Sequence, residues 1–91
     1  MHRKELTKTL AARTGLSAKE SEEFLSILSE IIIDTVAAGE RVAIQGFGVF
    51  EPRIHAASMT CDLKTQKMIQ IPERRYPGFR PFEQFKEAVR G

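Results

Sequence analysis

Cys61, His2 and His55 are the side chains in this 91-residue chain best suited to nucleophilic or metal chemistry. No ligand spacing joins the two histidines to the lone cysteine, and a metal site needs several donors. Nucleophilic catalysis would need a base beside Cys61 or a serine, and no local motif supplies one. The expected reading is an exposed, inert thiol, no metal, no cofactor, no small-molecule substrate and no enzyme. A single cysteine also excludes an intrachain disulfide, which fits a cytoplasmic setting.

The remaining chemistry is that of fixed charge. The net charge is only +2, but it is unevenly spread. Residues 1–52 carry six basic against eight acidic residues, a balance of −2, whereas 53–75 carry Arg53, Lys64, Lys67, Arg74 and Arg75 against Asp62 and Glu73, a balance of +3. Residues 76–91 add +1. A polyanion would prefer the back half of the chain.

These charges need elements to position them. Leu6 and Leu10 stand at i, i+4 spacing and Gly15 follows as a C-terminal cap, which predicts a first helix over about 3–13. Ser17-Ala18-Lys19-Glu20 is a capping box that opens a second helix. That helix runs through Phe24, Leu25, Ile27, Leu28, Ile31, Ile32, Ile33 and Val36 to Ala38-Gly39, and its apolar band is wider than one domain of this size would cover. The expected cover is a second chain, although a thick monomer core is the simpler alternative.

Arg41 to Gln45 alternates as a strand, and Gly46-Phe47-Gly48 turns it back into Val49-Phe50-Glu51. From Pro52 onward Ile54, Ala56, Ala57 and Met59 are loosely spaced, a polar tip follows at 60–66, and Met68, Ile69 and Ile71 return. Two extended runs too poor in large apolar residues to build a core predict a ribbon projecting into solvent. Tyr76 to Arg80 should rejoin the sheet, with Pro81 as the first residue of a closing helix, Phe82 to Arg90. Phe47, Phe50, Phe79, Phe82 and Phe85 read as core rather than as stacking platforms for single-stranded nucleic acid. The fold class is α+β, in the order ααβββα, as a single domain with a body (1–52 and 76–91) and an arm (53–75). No apolar leader or membrane span is expected.

The hairpin Gln45-Gly46-Phe47-Gly48-Val49-Phe50, the arm of about 20 residues and the closing Pro77-Gly78-Phe79 strand together resemble the HU and integration host factor family of bacterial histone-like proteins, over the whole chain. The resemblance implies an intertwined dimer, either a homodimer or a heterodimer with a paralogue, in which Phe47, Phe50 and Phe79 meet in a shared core. It also implies two arms that grip double-stranded DNA through its phosphates and minor groove, on the nucleoid in the cytoplasm. DNA contacts then fall at Arg3, Gly46, Arg53, His55, Leu63, Lys64, Lys67, Arg74, Arg75, Arg80 and Lys86.

The chain departs from the family pattern where mechanism is concerned. The family's arm tip usually reads Arg-Asn-Pro-x-Thr-Gly; here it is Cys61, Asp62, Leu63, Lys64, Thr65 and Gln66. Leu63 thus replaces the proline that wedges between base pairs, and Gln66 occupies a turn site suited to glycine. His55, Ser58 and Cys61 stand where arginine is common, and Glu83 where lysine is. The expected function is low-specificity duplex binding with weaker bending than in proline-tipped relatives. The alternatives are a DNA-bridging or DNA-coating scaffold, or a protein-interaction scaffold that has lost DNA affinity.

Overall fold

The computed structural model describes all 91 residues. Helix α1 spans Arg3–Thr14 and α2 spans Ala18–Ala37. Three strands, β1 (Val42–Ile44), β2 (Gly48–His55) and β5 (Arg74–Pro81), form one antiparallel sheet in the order β1-β2-β5. Between β2 and β5 the chain makes a separate two-stranded ribbon, β3 (Ser58–Cys61) and β4 (Met68–Ile71), and helix α3 (Glu83–Arg90) closes it. The chain divides into two compact units, Met1–Asp34 and Thr35–Gly91. No helix is long and apolar enough to cross a membrane.

The helix ends follow from local chemistry. Gly15 adopts a left-handed conformation (φ 76°) and donates its N–H to the Ala11 carbonyl, closing α1. The capping box forms reciprocally: the Glu20 N–H donates to Ser17 Oγ at 3.0 Å and the Ser17 N–H donates to Glu20 Oε1 at 3.1 Å. Within the first unit, Thr7 is buried and donates to the Arg3 carbonyl and to Glu22 Oε2.

In the second unit, Ile44 to Phe47 form a turn closed by the Phe47 N–H on the Ile44 carbonyl, with Gly46 at φ 80°. This is the type II geometry that selects glycine at its third position. Gly48 then lies so close to Phe79 and the Arg80 carbonyl that a Cβ there would overlap both. Four phenylalanines cluster: Phe50 and Phe79 are 4.9 Å apart between ring centroids, Phe47 and Phe79 5.2 Å, and Phe47 stacks on Phe85 at 5.4 Å. Phe82 is half-buried and takes no part in this ring cluster.

Strands β2 and β5 pair from Gly48↔Pro81 to His55↔Arg74 without a bulge. The Phe82 N–H donates to the Phe47 carbonyl at 2.9 Å, so every second pair from that point exchanges hydrogen bonds: 49/80, 51/78, 53/76 and 55/74. Pro52 and Pro77 face each other in a pair that makes none, and Pro81 opposite Gly48 does the same. The missing N–H groups are therefore not needed by the ladder.

Pro81 ends β5, and Phe82 is the extended N-cap residue of α3, with ψ 167°. The expectation that Pro81 opens the helix is thus corrected: its register against Gly48 holds it in the sheet. The arm also departs from a single uninterrupted run. If the β2–β5 phase continued, Ala57 and Pro72 would be a bonded pair and would require an N–H that Pro72 lacks. Residues 56–57 and 72–73 are unpaired, and beyond them the ladder resumes in the opposite phase, as shown by the Asp62 N–H donating to the Lys67 carbonyl at 2.9 Å.

Replacing Ser17 with Ala should cost about 1 kcal/mol of stability by removing the helix N-cap, read as a shift in denaturant midpoint at unchanged slope. A shift within error of zero would show that the capping box contributes nothing.

Candidate nucleic-acid interface

Residues that face each other across an antiparallel pair share a face, and so do alternate residues along a strand. One face of the β2–β5 ladder therefore carries the buried Val49 with Glu51, Arg53 and His55 from β2, and Arg74, Tyr76, Gly78 and Arg80 from β5. Four residues predicted from the sequence, Arg53, His55, Arg74 and Arg80, lie on this single face.

Glu51 organises two of them. Its Oε1 accepts from Arg53 Nη2 at 3.3 Å and from Arg80 Nε at 3.5 Å. Gly78 makes this arrangement possible, because a Cβ there would occupy the space held by Arg53 Nε, Cδ and Cζ. Glu51 is 18% exposed, while the side chains of Arg53 and Arg80 are 41% and 52% exposed. Burial pushes the Glu51 carboxyl up, but the hydrogen bonds and charges of Arg53 and Arg80 outweigh it, leaving its pKa below the ordinary value. Two guanidinium groups around one carboxylate leave a local excess of positive charge. Charge counting along the sequence treats Glu51 only as a subtraction, and only its position opposite Gly78 reveals its organising role.

The other predicted residues are distributed differently. Arg75 lies on the opposite face of the sheet and donates to the Ala37 carbonyl at 3.3 Å, at the C-terminal end of α2. A cation is favoured there by the helix dipole and the unpaired carbonyls. Arg3 is committed within the first unit, with Nε donating to Glu22 Oε1 at 2.6 Å and Nη2 to Ser26 Oγ at 2.5 Å. The Arg3 guanidinium, with the Thr7 hydroxyl, lowers the Glu22 pKa. Gly46 serves the β1–β2 turn. Lys86 is exposed on α3 without an ion-pair partner, beside an open apolar groove of about 350 Å³ that Phe79, Pro81, Phe85, Val89 and Arg90 also line. Glu83, by contrast, is paired with Arg90 at 2.7 Å.

The arm tip is a four-residue loop, 63–66. The Gln66 N–H donates to the Asp62 carbonyl and the Lys64 N–H to Asp62 Oδ1. Gln66 sits at φ 57°, the only non-glycine with positive φ, in the conformation that glycine adopts without cost. Leu63 is 92% exposed at the extremity, with Lys64 and Lys67 exposed beside it.

An α+β body with a basic sheet face leading to a solvent-exposed ribbon defines an architectural class, and the match is borne by the sequence: residues 1–90 fit the family model described as bacterial DNA-binding protein, and the chain belongs to that family. Among its relatives, the DNA-binding protein HU of Thermotoga maritima is 40% identical over 90 residues, covering 99% of this chain and 100% of that protein. HU of Lactococcus lactis is 34% identical over 89 residues, 98% of each. Among solved structures, an Anabaena HU–DNA cocrystal structure superposes with a TM-score of 0.89 at 32% identity, covering 98% of this chain and 97% of that one.

A carboxyl whose folded pKa is lowered binds fewer protons folded than unfolded. Its stabilisation is complete above the ordinary value of 4.5 and is lost as pH falls through the folded value. In a carboxyl-carbon NMR titration Glu51 should therefore have its midpoint below 4.5, and Arg80→Ala should move it upward. A native midpoint at or above that value would show the arginine pairing to be absent in solution.

Proposed function

We propose that the protein is a histone-like, nucleoid-associated protein of the cytoplasm that binds duplex DNA with little base specificity and performs no covalent chemistry. The observation that carries this reading is the shared sheet face of Arg53, His55, Arg74 and Arg80, continuous in the chain with an exposed arm ending in Leu63, Lys64 and Lys67. Phosphates dock on the sheet face and on Lys86, and the arm follows the minor groove. Arg3 and Arg75 serve the body instead, through Glu22 and Ala37, and Gly46 shapes the turn beside the Phe cluster. The chain acts as one domain, with 1–52 and 76–91 as body and 53–75 as arm.

The active species in this reading is a dimer, formed with a second copy or a paralogue. Phe24, Ile27 and Ile31 make a stripe at helical spacing on α2, and they are 52%, 56% and 54% exposed in the single chain. An apolar stripe of this kind is covered by a partner in a stable soluble protein.

Bending is gentler than a proline wedge produces. Leu63 offers an apolar side chain to a base step, but on a loop whose Gln66 holds a left-handed conformation at a cost. A second reading, bridging of neighbouring duplexes, is favoured by the apolar residues Ile54, Met59 and Met68 exposed along the ribbon.

A salt titration of binding to a ~35 bp duplex tests the assignment. Each phosphate bound contributes about −0.9 to the slope of log K against log salt, so Arg53→Ala and Arg80→Ala should each flatten it by about that amount for every phosphate the variant no longer reaches. Arg75→Ala should lower the melting temperature and leave the slope unchanged. Equal slopes for all three variants and the native protein would place the DNA elsewhere.

A further inference from the structure

The chain contains four sulfur atoms, from one cysteine and three methionines, and the arm register puts three of them together. Cys61 pairs directly with Met68, and Met59 pairs with Gln70. One face of the β3–β4 ribbon therefore carries Met59, Cys61, Met68 and Gln70, while the other carries Ser58, Thr60, Ile69 and Ile71. In the phase set by the Asp62–Lys67 bond, Cys61 and Met68 form a pair without mutual hydrogen bonds, the kind in which Cα atoms approach to about 4.5 Å. Met59 lies on the diagonal, about 7–8 Å from Met68, within reach of a thioether on three rotatable bonds.

None of the three sulfurs is committed elsewhere. Met59 and Met68 are 56% and 60% exposed. The Cys61 thiol is exposed and has one weak polar neighbour, the Asp62 carbonyl at 3.9 Å. The face offers no carboxylate and no imidazole, so it suits neither calcium, magnesium nor the usual zinc donor sets. Thiolate and thioether together select soft, monovalent d¹⁰ cations.

We propose that Cys61, Met68 and Met59 form a binding site for Cu(I) or Ag(I) on the arm. The cation binds through the Cys61 thiolate and the two thioether sulfurs. The thiol proton is released to solvent and no electron is transferred. Because Cys61 and Met68 sit on opposite strands one pair below the tip loop, the bound ion clips β3 to β4 and orders a ribbon that is marginal by itself. The site does not depend on DNA.

The test uses the full chain, with methyl-¹³C-methionine labelling, titrated with Ag(I) in chloride-free buffer. Saturation is expected at one Ag(I) per chain, with the Met59 and Met68 methyl signals shifting and Met1 unmoved as the internal control. Met59→Leu and Met68→Leu should each weaken binding at least tenfold, and Cys61→Ser at least a hundredfold, with circular dichroism unchanged. Three results would each overturn the proposal: no saturable binding, one Ag(I) shared by two chains through paired Cys61 thiolates, or native affinity retained in the Met59→Leu/Met68→Leu double variant. The last would mean an ordinary exposed thiol.

Discussion

The antiparallel register of β2 against β5 is the constraint on which the functional surface depends. It places Glu51 opposite Gly78 and Arg53 opposite Tyr76, and so decides which charges share a face. Shifting it by one residue would move the basic side chains to the Phe face and the aromatic rings to solvent. Several features pin it: Gly48 beneath Phe79, the Phe82–Phe47 hydrogen bond, and three prolines confined to pairs that need no N–H. Pro72 is the exception, and the ladder breaks beside it. The same residue type thus fixes the sheet at three positions and marks where the arm becomes a separate ribbon.

What was legible in the sequence was mainly what is local. The capping box, the Gly15 terminus, the hairpin around Gly46 and the strain at Gln66 each depend on a few consecutive residues, and each stands where the residues indicate. Pro81 is ambiguous in the sequence, because proline suits a first helical turn as well as a strand end, and only the distant partner Gly48 decides between them. Arg75 and Arg80 look alike in sequence. Their parity along β5 sends one to the Ala37 carbonyl and the other to Glu51, a distinction that exists only once the register is known. The break at Pro72 had a visible signal, a proline inside a run read as extended.

Apolar burial within one chain is slight. Val36 and Val49 are the buried hydrophobic residues, at 8% and 3% exposure, while the α2 stripe and part of the Phe cluster remain open. The stability of so small a domain depends on the fraction of surface it removes from water, and an exposed helical stripe contributes to it only once that stripe is covered. The arm buries almost nothing and is marginal by itself. Its stability resides in backbone pairing, the Asp62-centred turn and whatever it encloses, so body and arm respond to different perturbations.

The electrostatics of the sheet face reflect a compromise between charge and order. A net charge of +2 is weak attraction for a polyanion if spread evenly, so placement has to compensate for quantity. Glu51 removes one positive charge from the face, which weakens long-range attraction. In exchange it gives a common partner to two long side chains that each carry about 2 kcal/mol of rotamer entropy when mobile, and Gly78 lets one of them lie along the sheet. On the proposed function, a phosphate arriving at Arg53 and Arg80 would meet groups already gathered beside one carboxylate, which lowers the ordering cost of binding. The ion pairs are exposed enough to yield when a phosphate competes with the carboxylate, since surface pairs of this kind hold with little net energy. On the proposed function, Glu51 occupies the place that a bound phosphate would take.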